Sequence, residues 1–297
     1  MRSIAIRVIG GLGNQLHCYA FGRAVASQNN AALELDVESG YWNDPYKREY
    51  LLDQFLGLRA SRYKIRYRNK PARLLFKLCL SLRSAYSRLL PVSLKSVIIE
   101  EFPTRYQAEI HRARFFGNPY FVGYWASYRY YQGIENELRQ ELKPPVPTHP
   151  LVLEFLSQIQ SVQSCFIHWR SYKEEKGIEH PNLHVYYREA IDVISTRYRD
   201  VNFFVFSDDP TAAREVIAST TRKITYVDLP AAQGNLRSLA DFYLMYVCDH
   251  AIIGNSTFSW WAAWLSDRED KTVVLPRGLS PWGKDWYPPH WIDLDIK

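Results

Sequence analysis

The stretch IGNSTFSWWAAWL, residues 253–265, carries the strongest structural signal in the chain. A short apolar strand, Ala251–Ile253, runs into a polar turn and then into an apolar helix. In α/β proteins such a turn presents backbone N–H groups to an anion at the N-terminus of the helix. Asn255, Ser256 and Thr257 are also good N-cap residues, so helix capping without a ligand explains the same pattern.

A second strand–turn–helix pattern lies near the N-terminus. The apolar run Ile4–Ile9 is followed by GGLGNQL, residues 10–16, and then by a helical pattern. Glycines allow positive φ and let a ligand come close to the backbone. The match to the dinucleotide-binding fingerprint is partial, because Leu16 stands where a third glycine is needed. Asp36 lies about where that fingerprint has its ribose-binding acid.

Seven motifs, in this order along the chain, resemble the bacterial α-1,2-fucosyltransferases that use GDP-fucose. They are GGLGNQ…YAFGRA (10–24), YLLDQF (50–55), GYW (123–125), HWR (168–170), VYYREAI (185–191), FSDD (206–209) and GNSTFSWWAAWL (254–265). The motifs span nearly the whole chain, and the first and last are long and unusual. The family's central motif, His-x-Arg-Arg-Gly-Asp, is incomplete: residues 168–173 read HWRSYK, without the second Arg and the Asp.

Strands alternate with helices through the second half of the chain, which predicts a parallel sheet covered on both faces. The predicted strands are Ser164–Trp169, Asn202–Phe206, Ile224–Val227, Ala251–Ile253 and Thr272–Leu275. Together with the resemblance, this pattern predicts an α/β protein of two facing, Rossmann-like domains (GT-B-like). A proline-rich stretch, 143–150, is the best linker candidate, because it suits neither a helix nor a central strand.

We therefore expect two domains with different tasks. Residues 1–145 would form an acceptor-binding domain with a basic, partly helical insertion at about 57–96. Residues 146–297 would form a GDP-fucose-binding domain with a C-terminal tail.

Composition indicates an ordinary globular protein, with 297 residues, 47% hydrophobic and 23% charged. The four cysteines are far apart and form no C-x-x-C pair, so a disulfide framework or zinc site is not expected. No run of about 18 apolar residues occurs, and the N-terminus leads directly into a strand. We expect a cytoplasmic protein without a signal peptide or a transmembrane anchor.

The net charge of +6 is concentrated in one segment. Arg59–Lys95 contains eleven Lys and Arg residues and no Asp or Glu. Seven of its residues fall on one helical arc, which predicts an amphipathic basic helix: Leu74, Leu75, Leu78, Leu82, Ala85, Tyr86 and Leu89. Such a helix either packs on the core with a solvated basic face, or is attracted to an anionic membrane, which would place the protein peripherally at the inner membrane. No nucleic-acid motif accompanies the charge, so nucleic acid is not expected as a partner.

Polar residues follow several predicted strands of the second half, at the edge where open α/β sheets bind ligands. Arg170 offers a bidentate guanidinium to a phosphate, and the turn at 255–257 offers amides. The resemblance implies that the β-phosphate meets Arg170, Ser256 and Thr257, and that Asp241 accepts the guanine N–H groups. The full predicted donor site is His168, Arg170, Asp208, Asp209, Asp241, Asn255, Ser256, Thr257 and Phe258. Asp241 is equally explained by placement in a first helical turn, and His168 by simple packing.

The predicted acceptor site lies in the first half of the chain. Its residues are Gly13, Asn14, Gln15, His17, Asp36 and Trp42. Tryptophans in loops either pack on sugar C–H surfaces or anchor the loops hydrophobically.

The catalytic base is not decided by spacing. Inverting transfer is helped by a carboxylate or histidine that deprotonates the acceptor hydroxyl, and Asp36, Glu38, Glu175, Glu179 and His17 all fit that description. The catalytic set chosen here is Arg170, Asn14 and, as base, Glu179. A strongly dissociative transition state would make strong base assistance unnecessary.

No metal or other cofactor is expected. The D-x-D pattern Asp293-Leu294-Asp295 stands near the C-terminus and is interpreted as the end of a strand, since a metal site needs converging oxygen ligands. Arg170 and a helix N-terminus would neutralise the leaving diphosphate instead.

The sequence therefore predicts an inverting transfer of L-fucose from GDP-β-L-fucose to the 2-hydroxyl of a galactose. The acceptor would be a galactose-containing oligosaccharide or lipid-linked glycan, as in bacterial O-antigen. Another fucosyl transfer, α-1,6 or to protein, is the nearest alternative. A non-catalytic glycan-binding protein would explain the tryptophans, but not the paired strand–turn–helix sites.

Overall fold

The computed structural model describes residues 2–55, 61–63, 70–101, 105–170, 183–217, 222–229, 235–266, 268–277 and 285–295. The chain forms two compact units: residues 1–142 with 282–287, and residues 143–281 with 288–297. The first boundary between the units therefore lies between residues 142 and 143, whereas the sequence predicted a boundary between residues 145 and 146. Residues 282–287 were expected in the tail of the second domain, but they belong to the first unit.

The first unit is built on a parallel sheet with strand order β3-β2-β1-β5-β4. Its strands are β1 (Ser3–Arg7), β2 (Ala32–Asp36), β3 (Ser61–Tyr63), β4 (Val97–Ile99) and β5 (Tyr120–Val122). Its helices are α1 (Leu12–Gln28), α2 (Lys70–Ser87), α3 (Ala108–His111) and α4 (Glu135–Glu141). Short 3-10 turns occur at Leu52–Gln54, Val92–Leu94 and Tyr128–Tyr130.

Helix α1 is the core element of this unit. Most of its side chains are buried, including Phe21, whose ring stacks on Trp125 at 4.2 Å between centroids and 6° between planes. A Cβ on Gly22 would lie 2.8 Å from Cδ1 of Leu33 on β2. The glycine therefore lets the helix approach the sheet closely.

Polar contacts tie the other parts of the unit to this core. The guanidinium of Arg23 on α1 donates to both carboxylate oxygens of Glu141 on α4, at 3.0–3.2 Å, and the hydroxyl of Tyr19 donates to the same carboxylate at 2.7 Å. Asp285 forms a 2.9 Å salt bridge with Arg129, which anchors the returning segment. Glu141 and Asp285 thus join distant parts of the chain to one folding unit.

The second unit is built on a parallel sheet with strand order β11-β10-β9-β6-β7-β8. Its strands are β6 (Ser164–Trp169), β7 (Asn202–Ser207), β8 (Ile224–Tyr226), β9 (His250–Ile252), β10 (Val273–Arg277) and β11 (Ile292–Asp295). Its helices are α5 (Pro150–Gln160), α6 (Leu183–Arg197), α7 (Pro210–Ile217), α8 (Asn235–Val247) and α9 (Thr257–Leu265). Helix α5 was not predicted; it begins at the last proline of the linker candidate, and proline is favoured at the first helical position.

The strand order of this sheet reverses at β6, all of whose residues are buried. The chain runs outward from β6 through β7 to β8, and then crosses to β9 on the other side of β6. In open α/β sheets, ligands bind beyond the carboxyl ends of the strands at such a reversal. The loops after β6 and β9 are therefore the expected ligand-binding loops.

The predicted α/β architecture, with two parallel sheets flanked by helices in Rossmann-like domains, is confirmed. All four cysteines are free; Cys79 is exposed, and Cys18, Cys165 and Cys248 are buried. Within the described residues, no helix combines the length and apolar character needed to cross a membrane.

The Glu141 cluster gives a test of the fold of the first unit. Replacing Glu141 with Gln removes the charge that faces Arg23, so we expect the free energy of unfolding to fall by about 1–3 kcal/mol. Glu154→Gln, at an exposed position of α5, is the charge-matched control, and should change stability by less than about 0.5 kcal/mol. Denaturant unfolding measures both; equal effects of the two variants would show that the cluster does not hold α4.

Candidate active site

Arg170 follows β6 directly, and Asp208 follows the neighbouring strand β7. Nε of Arg170 lies 3.7 Å from Oδ2 of Asp208, and their side chains are 38% and 47% exposed. Because both groups are solvated and the pair is long, the contact is weak. The guanidinium therefore lies at the edge of the sheet where the strand order reverses, and it is partly exposed to solvent.

Asp209, the next predicted donor-site residue, caps a helix. Its Oδ1 accepts the N–H of Ala212 at 3.1 Å, and its own N–H donates to Oγ of Ser207 at 2.9 Å. A carboxylate in this position satisfies an amide of the first turn of α7. Capping therefore accounts for Oδ1 of Asp209, and its contact with the donor stays a prediction.

His168, at the end of β6, is a buried neutral imidazole. Burial, together with the nearby charge of Arg170, lowers its pKa to about 3. Its ring lies 5.9 Å from the ring of Phe258, which in turn packs edge-on against Phe242 at 5.3 Å. His168 is thus beside the predicted donor-site residues, but it cannot act there as a cation at neutral pH.

The turn after β9 is a capped helix N-terminus. Ser256 is the N-cap of α9, and its Oγ accepts the N–H of Phe258 at 3.3 Å. The N–H of Ser256 donates to the carbonyl of Gly254 at 2.9 Å. The capping explanation therefore holds, but the Ser256 hydroxyl can still donate its hydrogen, and the first helical turn still presents amides. Capping and anion binding are compatible here.

Two buried tyrosines of α6 donate hydrogen bonds to carbonyls near the carboxyl ends of β6, β9 and β10. The hydroxyl of Tyr187 donates to the carbonyl of His168 at 2.8 Å. The hydroxyl of Tyr186 donates to the carbonyls of Ile253 at 2.6 Å and Val274 at 3.0 Å. Both tyrosines belong to the VYYREAI motif, but the sequence alone did not assign them a role. Adjacent tyrosines in a core helix are a usable signal, because their buried hydroxyls need hydrogen-bond partners.

Asp241 occupies the middle of α8, so its explanation as a first-turn residue is wrong. Its Oδ2 lies 3.7 Å from Nε of Arg237, one turn earlier. Burial raises the pKa of Asp241 to about 7, against the opposing effect of Arg237 and with a smaller contribution from the charge of Asp228. A carboxyl group with a pKa shifted toward neutrality is a candidate functional residue.

In the first unit, Gln15 and His17 are fully buried, which removes them from any acceptor surface. The side-chain amide of Gln15 donates to the carbonyls of Gly10 and Glu49 at 3.0 and 2.7 Å, and its oxygen accepts the N–H of Leu51 at 2.8 Å. Gln15 therefore ties the glycine-rich turn to the loop at 49–51.

His17 is not placed to act as a base. Nε2 accepts from Nε1 of Trp286 at 3.4 Å, and Nδ1 is hydrogen-bonded to the hydroxyl of Tyr131. Burial lowers its pKa to about 3. Both ring nitrogens are thus engaged inside the first unit.

Asp36 is likewise a structural residue. Its carboxylate accepts the N–H groups of Glu38 and Ser39 at 3.1 and 2.9 Å, and the hydroxyls of Ser39 and Tyr120. Asp36 is completely buried, so neither a ribose nor an acceptor hydroxyl can reach it. Glu38, in the same loop, is half-buried.

The remaining predicted acceptor residues differ in their surroundings. Gly13 is buried in the first turn of α1, and Asn14 beside it is half-buried. A Cβ on Gly10, which has a left-handed φ of +75°, would lie 2.6 Å from Nδ2 of Asn14. Trp42 packs edge-on against Phe76 of α2 at 5.4 Å, so it supports that helix rather than standing free for a sugar.

Two base candidates, Glu175 and Glu179, lie outside the described residues. The described residues contain no cluster of three or more His, Cys, Asp or Glu side chains that could hold a metal ion. Asp293 of the D-x-D pattern lies in β11, where its oxygens are 2.7 and 2.8 Å from the guanidinium of Arg277.

A polar cavity of about 540 Å³ lies elsewhere in the second unit. His250, Thr272 and Gln163 line it, and these residues stand at or just before the first residues of β9, β10 and β6. This is the opposite edge of the sheet from Arg170 and α9. The cavity is therefore separate from the site that the strand order predicts.

The second unit brings an arginine and a helix N-terminus to its strand-order reversal, an arrangement that suits an anionic ligand. The chain belongs to glycosyl transferase family 11, whose sequence model matches residues 3–295.

Three similarities illustrate the relatives of the chain. An α-1,2-colitosyltransferase of Escherichia coli is 25% identical over 99% of this chain and all of its own length. A galactoside 2-α-L-fucosyltransferase of Caenorhabditis elegans is 23% identical over 66% of this chain and 57% of its own length. A solved structure of an Arabidopsis thaliana FUT1 mutant in complex with GDP matches with a TM-score of 0.55 at 14% identity, over 94% of this chain and 71% of its own.

Gly254 tests the packing of the turn after β9 against β6 and α6. A Cβ there would lie 3.0 Å from the Tyr187 hydroxyl and 3.3 Å from the carbonyl of His168. We expect Gly254→Ala to lower the free energy of unfolding by about 1–3 kcal/mol, because the contact is overpacked. Since the nearest atom is the hydroxyl, the cost should be smaller when Tyr187→Phe is already present. Denaturant unfolding of both single variants and the double variant measures this coupling; simple additivity would contradict the geometry.

Proposed function

We propose that this glycosyltransferase transfers L-fucose, with inversion, from GDP-β-L-fucose to the 2-hydroxyl of a galactose in a glycan. The observation that carries the proposal is that Arg170, at the end of β6, and the N-terminus of α9 both lie at the strand-order reversal of the sheet. Such a pairing suits the diphosphate of a nucleotide sugar. The activities for which the relatives are named, colitosyl and fucosyl transfer, support a 6-deoxy-L-sugar as the transferred group.

In this mechanism the leaving group is GDP, and the charge that develops on its β-phosphate must be stabilised. Arg170 would exchange its long contact with Asp208 for a bidentate contact with the phosphate. The hydroxyl of Ser256 and the first-turn amides of α9 would donate to the same oxygens. Together these donors supply the stabilisation that a metal ion gives in other enzymes, so we propose that none is required.

Asp241 would recognise the guanine. A carboxylate can accept the N1–H and N2–H donors together, which an adenine or uracil base does not offer in that arrangement. Phe242, the next residue of α8, packs against Phe258, and Phe258 lies against His168. This chain of contacts supports a single donor site that runs from α8 to the ends of β6 and β9.

The first unit would bind the acceptor through the turn at 10–14 and the loop after β2. Asn14 would orient a hydroxyl group, because its amide lies over the tight turn at Gly10. The base would be Glu179 or Glu38, since burial removes Asp36 and His17 from contact with substrate. The acceptor oxygen would then attack C1 of fucose on the face opposite the phosphate, and its proton would pass to that carboxylate.

Transfer of colitose is a second candidate, because the full-length relative is named for that activity. Colitose is L-fucose without its 3-hydroxyl. A site that hydrogen-bonds this hydroxyl would reject colitose strongly, whereas a site that leaves it in a gap would accept both sugars. The ratio of kcat/KM for the two GDP-sugars decides between them.

A lipid-linked or free galactose-containing glycan of O-antigen type would be the acceptor, and the reaction would take place in the cytoplasm. The direct test is incubation with GDP-fucose and a panel of galactosides in excess EDTA, with the products resolved by mass spectrometry and NMR. An α-1,2-linked fucoside is the expected product. A different linkage, transfer of colitose alone, or an absolute need for Mg²⁺ or Mn²⁺ would each refute the corresponding part of the proposal.

Arg170 should be indispensable for turnover. We expect Arg170→Ala to reduce kcat/KM by at least about 100-fold, since loss of one transition-state donor commonly has that effect. Arg170→Lys should not restore activity, because lysine lacks the bidentate fork. Arg188→Ala, on the exposed side of α6, is the control and should leave the rate unchanged. Near-normal turnover by Arg170→Lys would refute the proposed role.

GDP affinity should depend on the ionisation of Asp241. With a pKa of about 7, the carboxyl is protonated at lower pH and cannot accept both guanine donors, so affinity should fall as pH decreases through 7. At pH 8, Asp241→Asn should weaken GDP binding by about 1–3 kcal/mol. The β-phosphate of GDP also titrates, near a pKa of about 6, so the Asn variant gives the reference curve.

Calorimetry from pH 6 to 8 on the wild type and Asp241→Asn measures the difference in GDP affinity. Asp192→Asn, on the exposed side of α6, is the charge-matched control. Identical pH profiles for the wild type and Asp241→Asn would separate Asp241 from the nucleotide.

A further inference from the structure

Helix α2 has its apolar side exposed. Leu74, Leu75, Leu78, Leu82 and Tyr86 are 55–70% exposed. At about 100° per residue they fall within an arc of about 120° along the helix, and we call these five residues the leucine stripe. The sequence favoured a helix with its leucines packed on the core and its basic face in solvent. The structure instead turns the leucines outward.

The opposite side of α2 attaches the helix to the first unit. Phe76 packs edge-on against Trp42 and Tyr120, at 5.4 and 6.4 Å. Farther along, Oγ of the buried Ser87 accepts the N–H groups of Ser96 and Val97 at 3.3 and 3.2 Å. The helix is thus fixed by an aromatic contact and a polar contact, and this attachment determines which side of α2 faces outward.

Positive charge borders the leucine stripe. Lys77 and Arg83 lie about 120° from its middle, one on each side, and both side chains are exposed. The segment from Arg59 to Lys95 has no acidic residue to offset them. Long basic side chains beside an apolar helix face can rest their stems on lipid and extend their charges to the headgroups.

We propose that α2 is a membrane-docking helix that lies flat on a bilayer containing anionic lipid, with the leucine stripe in the acyl–headgroup boundary. The combination of an outward apolar stripe and one sign of charge fits this occupant, because the apolar side needs to leave water and the cations need anionic partners. A second copy of the chain fits less well, since two such helices would bring like charges together. This surface lies on the first unit and is independent of the proposed transfer chemistry.

Vesicle sedimentation of the full chain tests the proposal. Vesicles of pure phosphatidylcholine are compared with vesicles that contain about 30% phosphatidylglycerol, each at low and moderate salt. We expect at least tenfold stronger partitioning onto the anionic vesicles, and a marked loss at moderate salt because counterions screen the attraction. Protein that stays in the supernatant under all four conditions overturns the proposal.

Variants separate insertion from simple charge attraction. Leu78→Gln with Leu82→Gln keeps the charge and should reduce partitioning at least tenfold, whereas Leu153→Gln, an exposed leucine of α5, should not reduce it. Unchanged binding of the double variant overturns the proposal. So does concentration-dependent dimerisation, measured by light scattering, that the same double variant abolishes, because the stripe would then be a subunit interface.

Cys79 gives a direct readout of depth. It is exposed on α2, and burial raises the thiol pKa of the other three cysteines, so a thiol-reactive fluorophore should label Cys79 selectively. We expect a blue shift on anionic vesicles and quenching by lipids that carry spin labels just below the headgroups. Binding without either change would place the helix outside the bilayer and refute the insertion.

Discussion

All strands of the second sheet run in one direction, and this constraint determines where chemistry can occur. Because the strands are parallel, the loops that follow them leave at one edge. The crossover from β8 to β9 then opens that edge between β6 and β9, where Arg170 and the N-terminus of α9 lie. Tyr187 and Tyr186 support this edge by donating to the carbonyls of His168, the penultimate residue of β6, and Ile253, the residue after β9. The site therefore depends on the buried sheet and on two hydroxyls beneath it.

His168, Arg170 and Asp208 bring three ionisable side chains to this edge of the sheet. His168 stays neutral because burial and Arg170 depress its pKa to about 3, so Arg170 does not compete with an imidazolium for an anion. The long contact with Asp208 neutralises Arg170 only partly. Asp241, with a pKa raised to about 7, is held near its titration point. A ligand that brings a phosphate to Arg170 and N–H donors to Asp241 would stabilise both residues in their charged forms.

Sequence patterns predicted the second unit well, because its strands are short apolar runs bounded by turns and its helices are periodic. They predicted less of the first unit: β3 and β5 have three residues each and little periodicity. Gln15, His17 and Asp36 were chosen as acceptor residues because they are polar and follow glycines or a strand. In the structure these three side chains are buried, so they cannot contact an acceptor. Their burial depends on partners that are distant in sequence, such as Tyr120, Tyr131 and Trp286, and a local pattern does not reveal these. The sequence also could not predict which side of α2 faces the sheet, because its amphipathic pattern is the same in either orientation.

A crystal structure of the GDP complex would show directly where the donor nucleotide binds. In that complex we expect the diphosphate oxygens within hydrogen-bond distance of the Arg170 guanidinium and of the first-turn amides of α9. We expect the guanine to contact Asp241. Nucleotide bound in the polar cavity around His250, or on the glycine-rich turn of the first unit, would contradict it.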